Sequence, residues 1–150
     1  MSIDQQIAHL GFIQGVINRM GNNAFLVKGW TVALVAALFA LASKDSNPSF
    51  VFIALLPIVT FWILDAYYLR QEKLFRKLYE GVANNSIKSD LFTMKTTAVD
   101  GEVAPLLRVA VTRSVLPFYL LITLILAIVA IKCLPNMDWH FISAFCSEKR

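Results

Sequence analysis

Charged side chains are scarce in this chain of 150 residues: they make up 16% of it, whereas soluble domains average about 25%. Hydrophobic residues make up 57% of the chain, and its mean hydropathy is +0.62. This composition argues against an ordinary water-soluble domain, because a domain of this size cannot bury several long, uninterrupted apolar runs. It therefore predicts an integral membrane protein.

The residue patterns on which enzymes depend are equally sparse. The histidines, His9 and His140, fall on opposite sides of the membrane in the topology predicted below. The sequence contains no Cys-x-x-Cys, His-Glu-x-x-His or Gly-x-Ser-x-Gly motif and no phosphate loop of the Walker type. Carboxylates are few, and no pair is placed for acid–base chemistry. We therefore expect no catalytic residues, no cofactor and no metal site.

Long apolar runs, in contrast, dominate the sequence. They are Phe25–Ala42, Phe50–Leu64 and Val115–Ile131, and each is close to the roughly 20 residues that cross a bilayer as a helix. The second run reaches Leu69 if Asp65 is tolerated inside it. These runs predict an all-α integral membrane protein with an N-terminal amphipathic helix, three transmembrane helices and a second helix that extends into the cytoplasm.

The distribution of lysine and arginine predicts the orientation. Most cations follow the second run, and such segments remain in the cytoplasm; they are Arg70, Lys73, Arg76, Lys77, Lys88, Lys95, Arg108 and Arg113. The N-terminus is then cytoplasmic and the C-terminus external, although Lys132, Lys149 and Arg150 argue mildly against the latter. The predicted segments are an amphipathic helix (1–24), a transmembrane hairpin (25–69), a cytoplasmic basic segment (70–113), a third transmembrane helix (114–132) and an external tail (133–150).

A secretory signal is the alternative interpretation of the first run. Ala40, Leu41 and Ala42 before Ser43 resemble a signal-peptidase site, and cleavage there would leave two spans. The region that precedes the run is long, has a helical pattern and carries Asp4, which favours an uncleaved first span. The intact mass of the purified protein distinguishes the two.

The N-terminal segment has the periodicity of an amphipathic helix over 3–20. Its apolar positions recur at steps of three and four, whereas His9 and Arg19 fall among the polar positions; the apolar series is Ile3, Ile7, Leu10, Ile13 or Gln14, Ile17 and Met20, with Val16 alongside. A helix with so few cations fits packing against the protein's own cytoplasmic helices or a neighbouring subunit better than lying on a membrane surface. Gly21, Asn22 and Asn23 are predicted to end it.

Small residues recur along the first span at small-xxx-small spacing, which lets helices approach closely in lipid. They are Gly29, Ala33, Ala36, Ala37 and Ala40. The spacing favours packing against the second span within the chain over a seam between two copies.

The second helix is predicted to continue past the membrane surface. Its helical pattern runs over Phe50–Ala83, and Asn84, Asn85 and Ser86 follow as a terminating turn. Glu72–Arg76 and Arg76–Glu80 have the spacing of ion pairs one helical turn apart. Beyond it, 87–102 is predicted to form a short helix and a loop, and a helix from Val103 is predicted to enter the third span, with a kink at Pro117.

Asp65 is the strongest single candidate for a specific role, because an ionisable group in or beside a span is costly unless it is paired or hydrated. A salt bridge to Lys28, Arg70 or Arg113, or a hydrated interfacial position, is favoured over a role in ion conduction. Cys133 and Cys146 could form a disulfide on an oxidising side of the membrane or remain unlinked thiols.

The cations after the second span allow three interpretations. The cluster Arg70, Lys73, Arg76 and Lys77 can simply orient the protein, or it can bind anionic lipid headgroups. Together with Lys88 and Lys95 it can instead form an anion pocket for a nucleotide-like ligand. The residues favour these interpretations in that order, and direct nucleic-acid binding is not expected.

Two stretches, Asn18–Trp30 and Phe61–Glu72, together with the lead helix and the tight hairpin, resemble small bacterial membrane effectors of the SLATT type. Such effectors occur in anti-phage defence loci beside nucleotide-second-messenger or TIR-type signalling proteins. The resemblance implies a protein of the bacterial inner membrane, and the topology predicted from the cations then places the C-terminus of this multi-pass chain in the periplasm. It further implies a homo-oligomer that perturbs the bilayer or forms a pore when a signalling protein or small nucleotide activates it. The alternatives are a non-conducting scaffold for a soluble partner and a small transporter or channel subunit.

Overall fold

The computed structural model describes residues 3–45, 53–88 and 92–133, and these residues form helices and connecting segments without any strand. Helix α1 spans Ile3–Asp45, α2 spans Leu55–Ala83, a 3₁₀ helix spans Thr97–Glu102, α3 spans Leu106–Ala110 and α4 spans Leu116–Cys133. The predicted all-helical architecture is confirmed. The external tail after Cys133 and the proposed pairing of Cys133 with Cys146 lie outside the described residues and side chains.

Helices α1 and α2 form a long antiparallel pair. Gln6 near the start of α1 donates a hydrogen bond to the carbonyl of Val82 near the end of α2. Further along, Lys28 of α1 meets Asp65 of α2. The pairing therefore runs along most of both helices. Along its length the molecule has two parts, one polar and one apolar, and each has its own buried core.

The polar part, which we call the head, consists of 3–20 of α1, 70–88 of α2 and its terminating turn, and 92–103. Its core joins all three segments; the buried residues are Ile13, Ile17, Leu74, Leu78, Val82, Val99 and Val103. The positions on α1 and α2 recur at three- and four-residue steps, so each helix presents one apolar stripe to this core. The head is thus held together by packing between segments distant in sequence.

The apolar part, which we call the bundle, consists of 25–42 of α1, 55–69 of α2 and the whole of α4. Its buried residues come from all three helices and from the positions just before α2 and α4; they are Val35, Ala54, Ile58, Val115, Tyr119 and Leu126. Many large apolar side chains point outward instead. Leu56 is 71% exposed, Trp30 61% and Ile131 66%. The bundle therefore has an apolar exterior as well as an apolar interior.

The predicted break at Gly21, Asn22 and Asn23 is wrong, because α1 passes through these residues as a continuous helix. The side chains of Ala24 and Val27 directly after them are buried, and a Cβ on Gly21 would lie 3.5 Å from a carboxylate oxygen of Glu72. Close packing against α2 thus outweighs the weak helix propensity of glycine and asparagine. Head and bundle consequently share one uninterrupted helix.

The small-residue stripe does not pack against α2 as the sequence favoured. All of its members, Gly29, Ala33, Ala36, Ala37 and Ala40, are exposed. The face of α1 that is buried carries Ala24, Val27, Thr31 and Val35 instead. This face contains β-branched side chains, which fill the space between helices that smaller residues would leave open.

The end of α2 was predicted correctly. The helix stops at Ala83, with Asn84 as its capping residue, and Asn85 adopts a positive φ of 62° that reverses the chain direction. The segment that follows agrees with the predicted short helix and loop, because 92–96 is not helical and a short 3₁₀ helix forms at Thr97–Glu102.

The approach to α4 differs from the predicted single helix. Pro105 precedes the short α3, and the chain then turns over 111–115 before α4 begins at Leu116. Pro117 lies in the first turn of α4 rather than at a kink, where its missing N–H leaves no hydrogen bond unmade. The carbonyl of Thr112 accepts hydrogen bonds from the backbone N–H groups of Val115 and Leu116, which stabilises this turn.

Gly81 provides a test of packing at the end of α2. A Cβ at this position would lie 2.7 Å from Cδ1 of Ile87, so we expect Gly81→Ala to destabilise the head by about 1–3 kcal/mol through overpacking. Gly15→Ala is the matched control, because a Cβ there has nothing within 4 Å and the change should stabilise α1 by up to ~1 kcal/mol. Thermal unfolding of both variants in detergent micelles measures the difference; equal melting temperatures would contradict the packing.

By length and composition, α1 is the one helix in the described part of the chain that can cross a membrane. The apolar stretch Leu116–Ile131 of α4 is shorter.

Candidate functional site

An ion pair lies where head and bundle meet. The ammonium nitrogen Nζ of Lys28 is 2.7 Å from Oδ1 of Asp65 and 2.6 Å from Oδ2. The Asp65 side chain is fully buried, whereas that of Lys28 is 27% exposed. The sequence predicted Lys28, Arg70 or Arg113 as the partner of Asp65, and in the structure the partner is Lys28.

The two helices place these groups through their packing faces. On α1, Val27 and Thr31 point into the helix interface, and Lys28 follows at its edge. On α2, Asp65 and Ala66 are both buried against α1. The hydroxyl of Thr31 donates to the carbonyl of Val27 at 2.8 Å, so its polar atom is satisfied within its own helix.

Tyr119 brings α4 to the same level. Its hydroxyl donates to the carbonyl of Phe61 at 3.0 Å, and its ring stacks on Trp62 with a centroid distance of 6.3 Å. The indole N–H of Trp62 in turn donates to the carbonyl of Ala110 at 2.9 Å, at the end of α3. Helices α3 and α4 therefore contact α2 at Phe61 and Trp62, within about one turn of Asp65.

The chemistry of this site is electrostatic. Oδ2 of Asp65 lies in ion-pair range of Lys28 but accepts no aligned hydrogen bond within the described structure, so Lys28 provides the main compensation for a buried charge. In the described residues, no cluster of His, Cys, Asp and Glu side chains is arranged to hold a metal ion. A buried pair of this kind fixes which faces of two helices meet, because separating it leaves an uncompensated charge.

The basic cluster is largely neutralised by carboxylates. Arg70 lies 2.8 Å from Asp100 and also donates to the carbonyl of Ala104. Arg76 pairs with Glu72 at 2.7 Å, as the sequence spacing predicted. The predicted Arg76–Glu80 pair is wrong, because Glu80 pairs with Lys77, again at 2.7 Å.

The hydrogen bond from Lys77 to Glu80 raises the pKa of the Lys77 ammonium above its ordinary value. Of the other predicted ligand residues, Lys73 is half-buried, whereas Lys88 and Lys95 are exposed. Three of the six cations are thus engaged in ion pairs within the chain.

Two clefts in the head are lined by cations and carboxylates together. One of about 200 Å³ includes Arg76 and Glu80, and one of about 320 Å³ includes Lys77, Glu80 and Glu102. Neither collects the predicted cations on one wall, and their carboxylates would repel a phosphate. The geometry therefore gives the predicted nucleotide pocket no support.

His9 was misassigned by the sequence pattern. It is fully buried rather than part of a polar face. Its Nε2 donates to the carbonyl of Thr93 at 2.8 Å, and its ring packs edge-on against Phe92 at 5.7 Å. The signal in the sequence was its spacing of four residues from Ile13, since residues four apart share a helix face.

Comparison with known protein families, curated proteins and solved structures gives no match for this chain.

Proposed function

We propose that the bundle is embedded in a membrane and that the head lies on its cytoplasmic side. The main support is the exterior of the bundle, where apolar side chains of its helices point outward. In the most apolar stretch of α1, for example, 22% of the residues are buried inside the structure. In water, so large an apolar surface would aggregate, whereas lipid solvates it.

The placement of charge agrees with this proposal. Within 25–42, 55–69 and 116–131 the only charged residues are Lys28 and Asp65, and they are paired with each other. Charges inside a bilayer are expensive and are normally paired. Residues 53–69 and 116–133 would complete the second and third spans, with the cations of the head held in the cytoplasm by the positive-inside rule.

We further propose that the protein is an oligomeric effector of the bacterial inner membrane that perturbs the bilayer when the head receives a signal, as in anti-phage defence. The observation that carries this proposal is the continuity of α1 and α2, each of which runs without a break from the head into the bundle. A partner or small nucleotide that shifts the head would therefore move the spans as rigid levers.

Association of copies has a candidate surface in the outward small-residue stripe. Ala33, Ala36 and Ala37 are exposed on α1, and small residues at this spacing allow close helix contact in lipid. The Lys28–Asp65 pair would hold α1 and α2 together until the signal arrives.

Membrane depolarisation tests the effector proposal. We expect rising expression of the chain in bacteria to depolarise the inner membrane, as read by a potential-sensitive dye, because mass action drives association. Ala33→Leu/Ala37→Leu should reduce the depolarisation severalfold by blocking close approach. Ala127→Leu, which makes the same substitution once at an exposed position of α4, should not.

Insertion is checked in the same cells by carbonate-resistant membrane association and by a reporter at Lys88 that reads out in the cytoplasm. The effector proposal is contradicted if the protein is fully inserted but the membrane potential does not change at any expression level. The potential must also stay unchanged when the proposed signalling partner is expressed and activated.

A non-conducting scaffold is the second candidate, and the surface of the head favours it. Ile3 is 75% exposed, Ile7 61% and Phe12 62%, so the start of α1 offers apolar side chains to a soluble partner. Stoichiometric co-purification of one such protein without depolarisation would favour the scaffold.

A further inference from the structure

The segment Pro105–Val115, which we call the elbow, is held firmly on its inner side. Val109 and Val115 are fully buried. The carbonyl of Ala110 accepts the hydrogen bond from the Trp62 indole, and the hydroxyl of Thr112 donates to the carbonyl of Val109 at 2.7 Å. Because the backbone is anchored at these points, the inner side of the elbow packs against the rest of the protein and the other side remains exposed.

The outward side of the elbow combines apolar and cationic side chains. Leu107 is 82% exposed and Val111 is 56% exposed, one helical turn further on. Arg108 and Arg113 are also exposed, and neither makes a salt bridge within the described residues, whose ion pairs involve Lys28, Arg70, Arg76 and Lys77. The elbow thus differs from the cluster on α2, where carboxylates neutralise most cations.

We propose that the elbow binds the phosphate groups of anionic phospholipids in the cytoplasmic leaflet. The inference rests on the membrane placement proposed above. Leu107 and Val111 would enter the boundary between headgroups and acyl chains, where exposed apolar residues are stable. Arg108 and Arg113 would then lie at headgroup level, where guanidinium groups donate paired hydrogen bonds to phosphate oxygens.

The position of the elbow in the chain supports a lipid as the occupant. The elbow leads directly into α4, the most apolar helix, and Trp62, which anchors it, is of the residue type that concentrates at membrane interfaces. Its two exposed arginines, with no carboxylate in the segment, give the surface a net positive charge, which complements the negative potential of an anionic leaflet. A soluble anion would gain nothing from the two exposed apolar side chains beside them.

Lipid selectivity at Trp62 provides the test. The full chain with Trp30→Phe and Trp139→Phe is reconstituted into vesicles of phosphatidylcholine and phosphatidylglycerol, with acyl-chain bromines on one lipid at a time. Quenching of Trp62 fluorescence then reports the lipid next to the elbow. We expect phosphatidylglycerol to be preferred by about fivefold for each arginine, the ratio that corresponds to ~1 kcal/mol per cation near anionic lipid.

The variants separate a specific site from general charge. Arg108→Gln/Arg113→Gln should lower the preference to about one, whereas Arg108→Lys/Arg113→Lys should keep most of it. Lys88→Gln/Lys95→Gln removes the same charge from exposed positions of the head and should leave it unchanged. Circular dichroism confirms that the variants are folded, and if the glutamine double variant is not, Arg108→Gln and Arg113→Gln are tested singly and should each lower the preference about fivefold.

Two results would overturn the proposal: an undiminished preference in the glutamine variant, or an equal loss in the head control. Equal quenching by both lipids would contradict the proposed lipid site at the elbow but would be consistent with the membrane placement. Absence of quenching by either lipid would overturn the membrane placement itself.

Discussion

Lys28→Met should destabilise the protein by about 3 kcal/mol, because it removes the cation that compensates a buried carboxylate. Asp65 has no exposed surface and makes its described ion-pair contact with Lys28 alone. Once the ammonium is gone, the carboxylate must either remain charged in an apolar surrounding or take up a proton, and both cost free energy. Unfolding of purified protein in mixed micelles measures the loss.

Replacing Asp65 should destabilise the protein less than replacing Lys28. This difference between the two single variants is the more discriminating prediction. Asp65→Asn leaves Lys28 without its partner, but the Lys28 side chain is 27% exposed and can turn its ammonium toward water or headgroups. We expect a loss of about 1 kcal/mol, within the range of partly exposed pairs.

Lys28→Met/Asp65→Leu completes the cycle. Replacing both members of a buried pair by apolar residues is often neutral or stabilising, so the double variant should recover most of the stability lost in Lys28→Met. Additive losses would show that the pair does not hold α1 and α2 together, and equal losses in the two single variants would contradict the expected asymmetry.

Ile13→Ala should destabilise the head by about 2–5 kcal/mol, the usual range for truncating a fully buried aliphatic side chain. Ile13 has no exposed surface and lies in the cluster that joins α1, α2 and the 3₁₀ segment. The cavity left behind would weaken contacts to Leu74 and Leu78 on α2. Protease resistance of 84–103 and hydrogen exchange of the amides of 70–83 report the loss locally.

Ile7→Ala is the control, because it makes the same chemical change one and a half turns earlier on the same helix. Ile7 is 61% exposed, so its truncation should leave the stability of the head within about 0.5 kcal/mol. If Ile7→Ala instead reduces binding of a soluble partner without affecting stability, the scaffold hypothesis gains support. Equal destabilisation by both variants would contradict the packing of the head.

Both experiments bear on how a signal could pass along the molecule. The Ile13 cluster fixes α1 against α2 in the head, and the Lys28–Asp65 pair fixes the same helices at the start of the bundle. A ligand that opens the first contact can shift the bundle only if it also overcomes the second. Depolarisation by a folded Asp65→Asn variant, which breaks the ion pair, at a lower expression level than the wild type would be the expected sign of this coupling.

The helical content and the end of α2 were predictable from the sequence. The end of α2 at Asn84 follows from two asparagines that accept non-helical conformations. The Glu72–Arg76 pair follows from its spacing. Prediction failed at Gly21–Asn23, because packing against Glu72 and its neighbours overrides the local tendency to stop a helix. It failed again at 103–116, where the anchoring of the elbow by Trp62 is a long-range contact.

The helical character of the chain, its apolar runs suited to lipid and the clustering of its cations outside those runs could all be predicted before any fold was known. These properties depend on composition and short-range spacing. The pairing of Lys28 with Asp65, the burial of His9 and the outward direction of the small-residue stripe became visible in the folded molecule alone. The reason is physical: a helix that is apolar on every side carries no signal of which face will pack, and rotation about its axis is set by the neighbours it meets.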